Sequence, residues 1–155
     1  MFIVEELLTT DHILELKNLI DKEIENSLCL GAPLYQSFSY MHSKYNDNPS
    51  LSVLLNKTKI EASKFINKDV SIRECWFNIC KEDSAFDYHT HSSKLTAVFF
   101  LKGCNGNGTL FKINNATVQL KANDNSLLLF EPSILHTIPP WEGQDRYSIA
   151  MDFEV

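Results

Sequence analysis

Two hydrophobic rhythms divide the chain. Before residue 70 the apolar positions recur three and four apart, and Ile13, Leu14, Leu16, Leu19, Ile20 and Ile24 line one side of a segment that can start near Thr10 or Asp11. This predicts a helix ending near Asn26. A second helix is signalled by Asn48 as a cap, Pro49 at the first helical position and an apolar stripe of Leu51, Leu54, Leu55, Thr58, Ala62, Phe65 and Ile66. The stretch from Gly31 to Asn46 between them reads as irregular and aromatic-rich. From Asp69 onward the rhythm shortens to apolar or alternating runs, which predict about seven strands over roughly 70–80, 86–91, 95–102, 109–113, 116–120, 126–131 and 146–154. Gly103 to Gly108, Asn114-Asn115 and Asn123 to Asn125 supply turn residues between them. No repeat or linker interrupts this order. The expectation is one domain, mostly β with N-terminal α-helices, in which a helical part (1–68) packs outside a sheet-built body (69–155).

Composition narrows the classes of function. A chain of 155 residues with 44% hydrophobic and 22% charged side chains is an ordinary globular domain, large enough to bury roughly 70% of its unfolded surface and to spare room for an internal pocket. Its 20 acidic and 14 basic residues give a formal charge of −6, shared by both halves with no basic stripe. Nucleic acid, whose binding rests on neutralised phosphates, and anionic membranes are therefore disfavoured as partners. Cys29, Cys75, Cys80 and Cys104 form no Cys-x-x-Cys pair, and the opening residues lack the positive region of a secretory signal. Free thiols in a soluble, cytoplasmic protein are expected.

Candidate chemistry gathers on the histidines. His89-Thr90-His91 places two imidazoles two residues apart, and on a strand such residues share a face and can meet one ion. A third ligand must come from elsewhere in the chain, and His136 follows the apolar run Leu127 to Phe130 after a Glu131-Pro132 corner. Three imidazoles suit iron, zinc, copper or nickel and leave positions open for chemistry. His12 and His42 have no such context. Arg73 and Arg146 are the only arginines in a lysine-biased chain, and Arg146 begins the last predicted strand with Ser148 two residues on. A guanidinium offers a carboxylate a planar, bidentate fork that an ammonium does not.

The ordered set His89-x-His91, His136 and Arg146-x-Ser148 resembles the iron(II)- and 2-oxoglutarate-dependent oxygenases of the double-stranded β-helix (jelly-roll, cupin-like barrel) fold. Thr96-Ala-Val-Phe-Phe-Leu and Arg146-Tyr-Ser-Ile-Ala are similar to segments of prolyl-hydroxylase-like members, and Trp76-Phe77-Asn78 matches a Trp-x-Asn strand of small oxygenases with a His-x-His motif. The resemblance covers roughly residues 70–154. It implies Fe(II) on His89, His91 and His136, the 2-oxoglutarate carboxylate on Arg146 and Ser148, and a hydrogen bond from Asn78 to co-substrate or substrate. It further implies molecular oxygen as a reactant and hydroxylation of a C–H bond in a small-molecule or peptide substrate, with release of succinate and CO2. Two positions depart from the family pattern. His91 stands where most members have Asp or Glu, and Phe99 where many have a tyrosine whose hydroxyl helps bind the co-substrate.

The same residues leave two other readings open. A three-histidine centre of cupin type can act on substrate directly without 2-oxoglutarate, or the barrel can serve as a binding module without chemistry. Phe111, Phe130, Phe153 and the Phe99-Phe100 pair read as core. Trp141, in the Pro139-Pro140-Trp141 loop, reads equally as a cover for a pocket mouth and as a packed loop anchor.

Overall fold

The computed structural model describes residues 1–25 and 34–155, and 28–29 by backbone alone. In order, the elements are β1 (Phe2–Val4), α1 (Thr10–Ile24), β2 (Leu28–Cys29), β3 (Leu34–Gln36), α2 (Met41–Lys44), α3 (Pro49–Ile66), β4 (Ser71–Cys80), β5 (Leu95–Lys102), β6 (Gly106–Ile113), β7 (Ala116–Ala122), β8 (Ser126–Phe130), β9 (Leu135–Thr137) and β10 (Arg146–Glu154). They form two antiparallel sheets. The larger has the order β1-β8-β5-β10-β4-β3-β2 and the smaller β7-β6-β9.

Local chemistry sets α1 and α3 as the pattern predicts, whereas β3 and α2 fall in the stretch expected to be irregular. Thr9 caps α1 by accepting from the His12 backbone N–H, and the helix ends at Ile24, so the expected end at Asn26 lies outside the described residues. The Asn48 side chain accepts from the Leu51 N–H at 3.0 Å, Pro49 opens α3, and Asn67 stops it in the left-handed conformation with φ 54°. Leu16, Leu19 and Ile20 of α1 and Leu51, Leu54 and Ala62 of α3 are buried. They pack against the odd-numbered residues of the central strands, among them Phe77, Phe99, Leu101, Ile149, Met151 and Phe153. The helices thus cover one face of the large sheet.

Because successive strand residues point to opposite faces, the even-numbered residues of the same strands face the other way. Phe100, Leu128 and Phe130 of the large sheet meet Phe111 and Ala122 of the small sheet in a second core. The two sheets therefore pack face to face as a sandwich whose strands remain in separate sheets, with edges at β1, β2, β7 and β9. Gly103, at φ +82°, lets β5 end against the segment entering β10, since a Cβ there would lie 2.2 Å from the Asp145 carbonyl oxygen.

Several expectations need correction. The predicted strand over 86–91 is not a regular strand; His89 makes only an isolated bridge to His136. The segment before residue 69 is not purely helical, because β1 pairs with β8 and β3 with β4. Cys75, Cys80 and Cys104 are free and buried, while Cys29 and Gly31 fall outside the described side chains. No helix of the described residues is long and apolar enough to cross a membrane. Phe99 is wholly buried on the helix-covered face, so a hydroxyl there would enter an apolar core. Phe99→Tyr is expected to lower the unfolding free energy by about 1–3 kcal/mol, read from urea denaturation, because the added O–H is buried without a partner.

Candidate metal centre

The three sequence-predicted histidines converge. His89 and His136 exchange both backbone hydrogen bonds, N–H to carbonyl at 3.0 and 3.1 Å, which brings the two segments side by side. The His91 N–H donates to the Pro132 carbonyl at 3.0 Å, so the Glu131-Pro132 corner holds the other end of the motif. One ring nitrogen from each histidine lies within 4.8 Å of the other two, and the Nε2 atoms of His91 and His136 are 3.1 Å apart. Two ligands on one ion at bonds of about 2.1 Å sit roughly 3.0–3.4 Å apart, so this pair already has the spacing of a shared ion.

The opposite ring nitrogens explain the convergence. Nδ1 of His89 lies 3.0 Å from the Asp87 carbonyl oxygen, and that of His136 lies 2.7 Å from the Ile134 carbonyl oxygen. Nδ1 of His91 lies 2.9 Å from Oδ2 of Asp152. An oxygen without a proton can only accept, so each Nδ1 carries the N–H and each Nε2 keeps its lone pair for the common point. Aromatic rings fix the planes: Phe86 meets His89 edge-on at 4.9 Å, Phe130 meets His136 edge-on at 4.7 Å, and Trp76 stacks on His91 at 5.6 Å. Burial drives His136 down to about 4 and lowers His89 as well, with the neighbouring rings adding to the effect and the carbonyl contacts opposing it. Both are therefore neutral near pH 7, the form that a metal requires.

The cluster opens on a cavity of about 320 Å³. Arg146, Ser148 and Asn78 also line it, as do Thr109, Val98 and Ile138. Arg146 is 2% exposed. Its guanidinium donates to the Gly108 carbonyl at 3.3 Å and lies over the rings of Phe100 and Trp141, while its Nε has no partner. No carboxylate of the described residues pairs with it, whereas the half-exposed Arg73 spreads over Glu74, Glu154 and Ser92 at the surface. An isolated buried charge costs several kcal/mol, so the Arg146 end of the cavity suits an anion. Asn78 accepts from Gln36 Nε2 at 3.0 Å, which leaves its amide nitrogen to donate. Trp141 is a packed anchor, 2% exposed, with its indole N–H donated to the Gln144 carbonyl at 2.7 Å.

Among the polar lining residues that the sequence did not single out, Asp152 touches a predicted ligand. Asp152 is 2% exposed; besides the His91 contact, its Oδ1 accepts from Thr96 at 2.6 Å and from Ser93 at 3.0 Å. Burial pushes this carboxyl up, but the His91 ring and the two hydroxyls outweigh that and hold it below the usual carboxylate range. The available signal was an acid at an even-numbered position inside the apolar run Ile149-Ala-Met-Asp-Phe, on the face already assigned to Arg146 and Ser148.

No protein-family model matches the chain, and no curated protein matches it by sequence. Solved structures do. HygX from Streptomyces hygroscopicus, with nickel, 2-oxoglutarate and hygromycin B bound, superposes with a TM-score of 0.78 at 8% identity, over 99% of this chain and 82% of that one. A Pseudomonas putida prolyl-4-hydroxylase gives 0.73 at 12% identity, over 99% and 91%. SnoN, a non-heme α-ketoglutarate-dependent epimerase from nogalamycin biosynthesis, gives 0.74 at 11% identity, over 97% and 76%. The fold is that of the 2-oxoglutarate- and iron-dependent oxygenases.

Because His136 is held neutral down to about 4 in the fold but titrates near 6.5 when unfolded, its contribution to stability is complete above about 6.5 and is lost as pH falls toward 4. The melting temperature of metal-free protein is expected to drop across that window, and His136→Gln should flatten the drop in a scanning calorimetry series.

Proposed function

We propose that this protein is a cytoplasmic, single-domain iron(II)- and 2-oxoglutarate-dependent oxygenase on a double-stranded β-helix. In this reading it hydroxylates a C–H bond of a small-molecule or peptide substrate. The observation that carries the reading is one cavity with three imidazole lone pairs focused at one point and a buried guanidinium that pairs with no carboxylate of the described residues. Strand order supports it, since β4, β10, β5 and β8 are contiguous in one sheet and β7, β6 and β9 in the other, with the His89 bridge beside β9. The solved structures of the same fold include HygX with 2-oxoglutarate and hygromycin B bound.

The donor set fits the metal. His89, His91 and His136 would hold Fe(II) through Nε2, and the ion when bound would supply oxygen activation. Overall, the substrate, O2 and 2-oxoglutarate become the alcohol, succinate and CO2. Arg146 would take the far carboxylate of 2-oxoglutarate in its planar fork, and Ser148 and Asn78 would add hydrogen bonds beside it. A keto acid whose far carboxylate is fixed by Arg146 would be oriented before substrate arrives, which converts an encounter into a fixed geometry. Val98, Ile138 and Phe86 line the cavity with apolar surface and keep water from the reacting groups.

Dependence on 2-oxoglutarate separates this reading from a three-histidine dioxygenase that needs no co-substrate, because the buried Arg146 guanidinium could hold the carboxylate of a co-substrate or of an acidic substrate. Iron- and 2-oxoglutarate-dependent release of succinate, which proceeds slowly even without the prime substrate, is expected and should vanish with a chelator. Arg146→Met is expected to weaken 2-oxoglutarate binding about 100-fold or more, the cost of a bidentate charged contact. Calorimetry that finds no 2-oxoglutarate binding to the iron-loaded or nickel-loaded protein would overturn the proposal.

A further inference from the structure

We propose that Asp152 is a positioning residue that supplies, through His91, the negative charge that the family pattern places on the metal ligand itself. This inference rests on the metal-centre reading above and assigns a role to a residue outside the ligand set. His91 stands where most relatives have an acid, so the three ligating side chains are neutral imidazoles. The missing anion lies one bond further out. Oδ2 of Asp152 accepts the Nδ1–H of His91 at 2.9 Å, on the side of the ring away from the focus.

Three observations make this more than a chance contact. Asp152 is 2% exposed, and a carboxylate so deeply buried requires compensation. Its remaining oxygen is fully engaged by neutral hydroxyls, those of Thr96 and Ser93, which orient it but bring no charge. Among the described residues no lysine or arginine pairs with it, and His91 is the sole group of potentially opposite sign in contact. The position that would neutralise it is the focus of the three Nε2 atoms, on the far side of the His91 ring. The carboxylate therefore fixes the His91 tautomer, holds the ring plane together with the stacked Trp76, and raises the basicity of the ligating nitrogen.

The test uses the metal alone as probe. Protein stripped by chelation and dialysis is titrated with Ni(II) in a calorimeter as wild type, Asp152→Asn, His91→Ala and the double variant. Asn keeps the shape and an acceptor for His91 while removing the charge, and its amide nitrogen donates to the Thr96 and Ser93 hydroxyls, which turn to accept. The expected result is a rise in the Ni(II) dissociation constant of about 10- to 100-fold for Asp152→Asn. A single cooperative melting transition of the metal-free variant checks that it is folded. In the His91→Ala background the same change should shift the constant less than twofold, because the effect travels through His91. An unchanged constant in Asp152→Asn, or an equal loss in both backgrounds, overturns the inference while leaving the metal centre intact. Wild-type protein that binds no metal overturns the metal centre and this inference together. A measurement without variants guards against a misfolded Asp152→Asn: nitrogen-15 NMR of the Zn(II)-loaded wild type should show His91 metal-bound at Nε2 and protonated at Nδ1. Coordination through Nδ1 of His91 would overturn the proposal.

Discussion

β10 carries Arg146 and Asp152 on one face of one strand, both 2% exposed and neither matched to a lysine, arginine or carboxylate among the described residues in the ordinary way. Opposite charges so placed, with Cα atoms about 20 Å apart along the strand, are affordable only if the space between them is shaped for matching charge. That constraint depends on register. β10 lies between β4 and β5, with Ser148 opposite Asn78 on one side and Phe100 on the other. A slip of one residue would put Ile149 and Met151 into the cavity and turn both charges into the helix-covered core. The apolar odd-numbered face therefore does more than stabilise; by insisting on the core, Tyr147, Ile149, Met151 and Phe153 hold the even-numbered face in the cavity.

Sequence patterning reached the parts of this molecule that are governed by local rules. β5 and β10 fall on their predicted limits, and α3 is capped by Asn48 and opened by Pro49 as expected, because alternation and capping are short-range properties. The histidine triad and Arg146 were legible because spacing two apart and residue type are themselves written in the chain. What escaped is non-local. β9 has three residues, too few for a pattern, and the His89 segment owes its placement to two backbone bonds with His136 rather than to its own composition. β1 and β3 join a sheet whose other members lie far along the chain. Asp152 pairs with a histidine 61 positions away, a relation no local window contains.

Phe99 shows how a likeness in sequence can mislead where the fold does not. Placed by sequence at a co-substrate position, it belongs by parity to the opposite face of β5, whereas Thr96 and Val98 line the cavity. The loss of a tyrosine there thus says nothing about the cavity. Its end beside Asp152 is lined by Glu74 and Trp76 of β4 and by the exposed Ser39 of the N-terminal half, while Gln36 of β3 sits level with Asn78 and Ser148. Within the proposed reading, the central strands build the part common to the reaction, while the aromatic-rich segment before α3 shapes what reaches it.

Charge accounting ties the two ends together. Within the proposed reading, with Glu74 paired to Arg73 at the surface, a divalent ion and a 2-oxoglutarate dianion cancel, and Arg146 would leave one positive charge over if the rest of the lining contributed only imidazoles. Asp152 removes it. A carboxylate bound directly to the ion gives the same sum, so moving the acid behind His91 preserves the neutrality of the filled cavity while changing what the ion touches. An imidazole is a neutral donor that offers no second oxygen, so the position occupied by His91 cannot become bidentate or accept a proton from a bound water as a carboxylate can. The buried acid, held by Thr96 and Ser93 away from the focus, can then tune the ion through His91 without competing for its open positions.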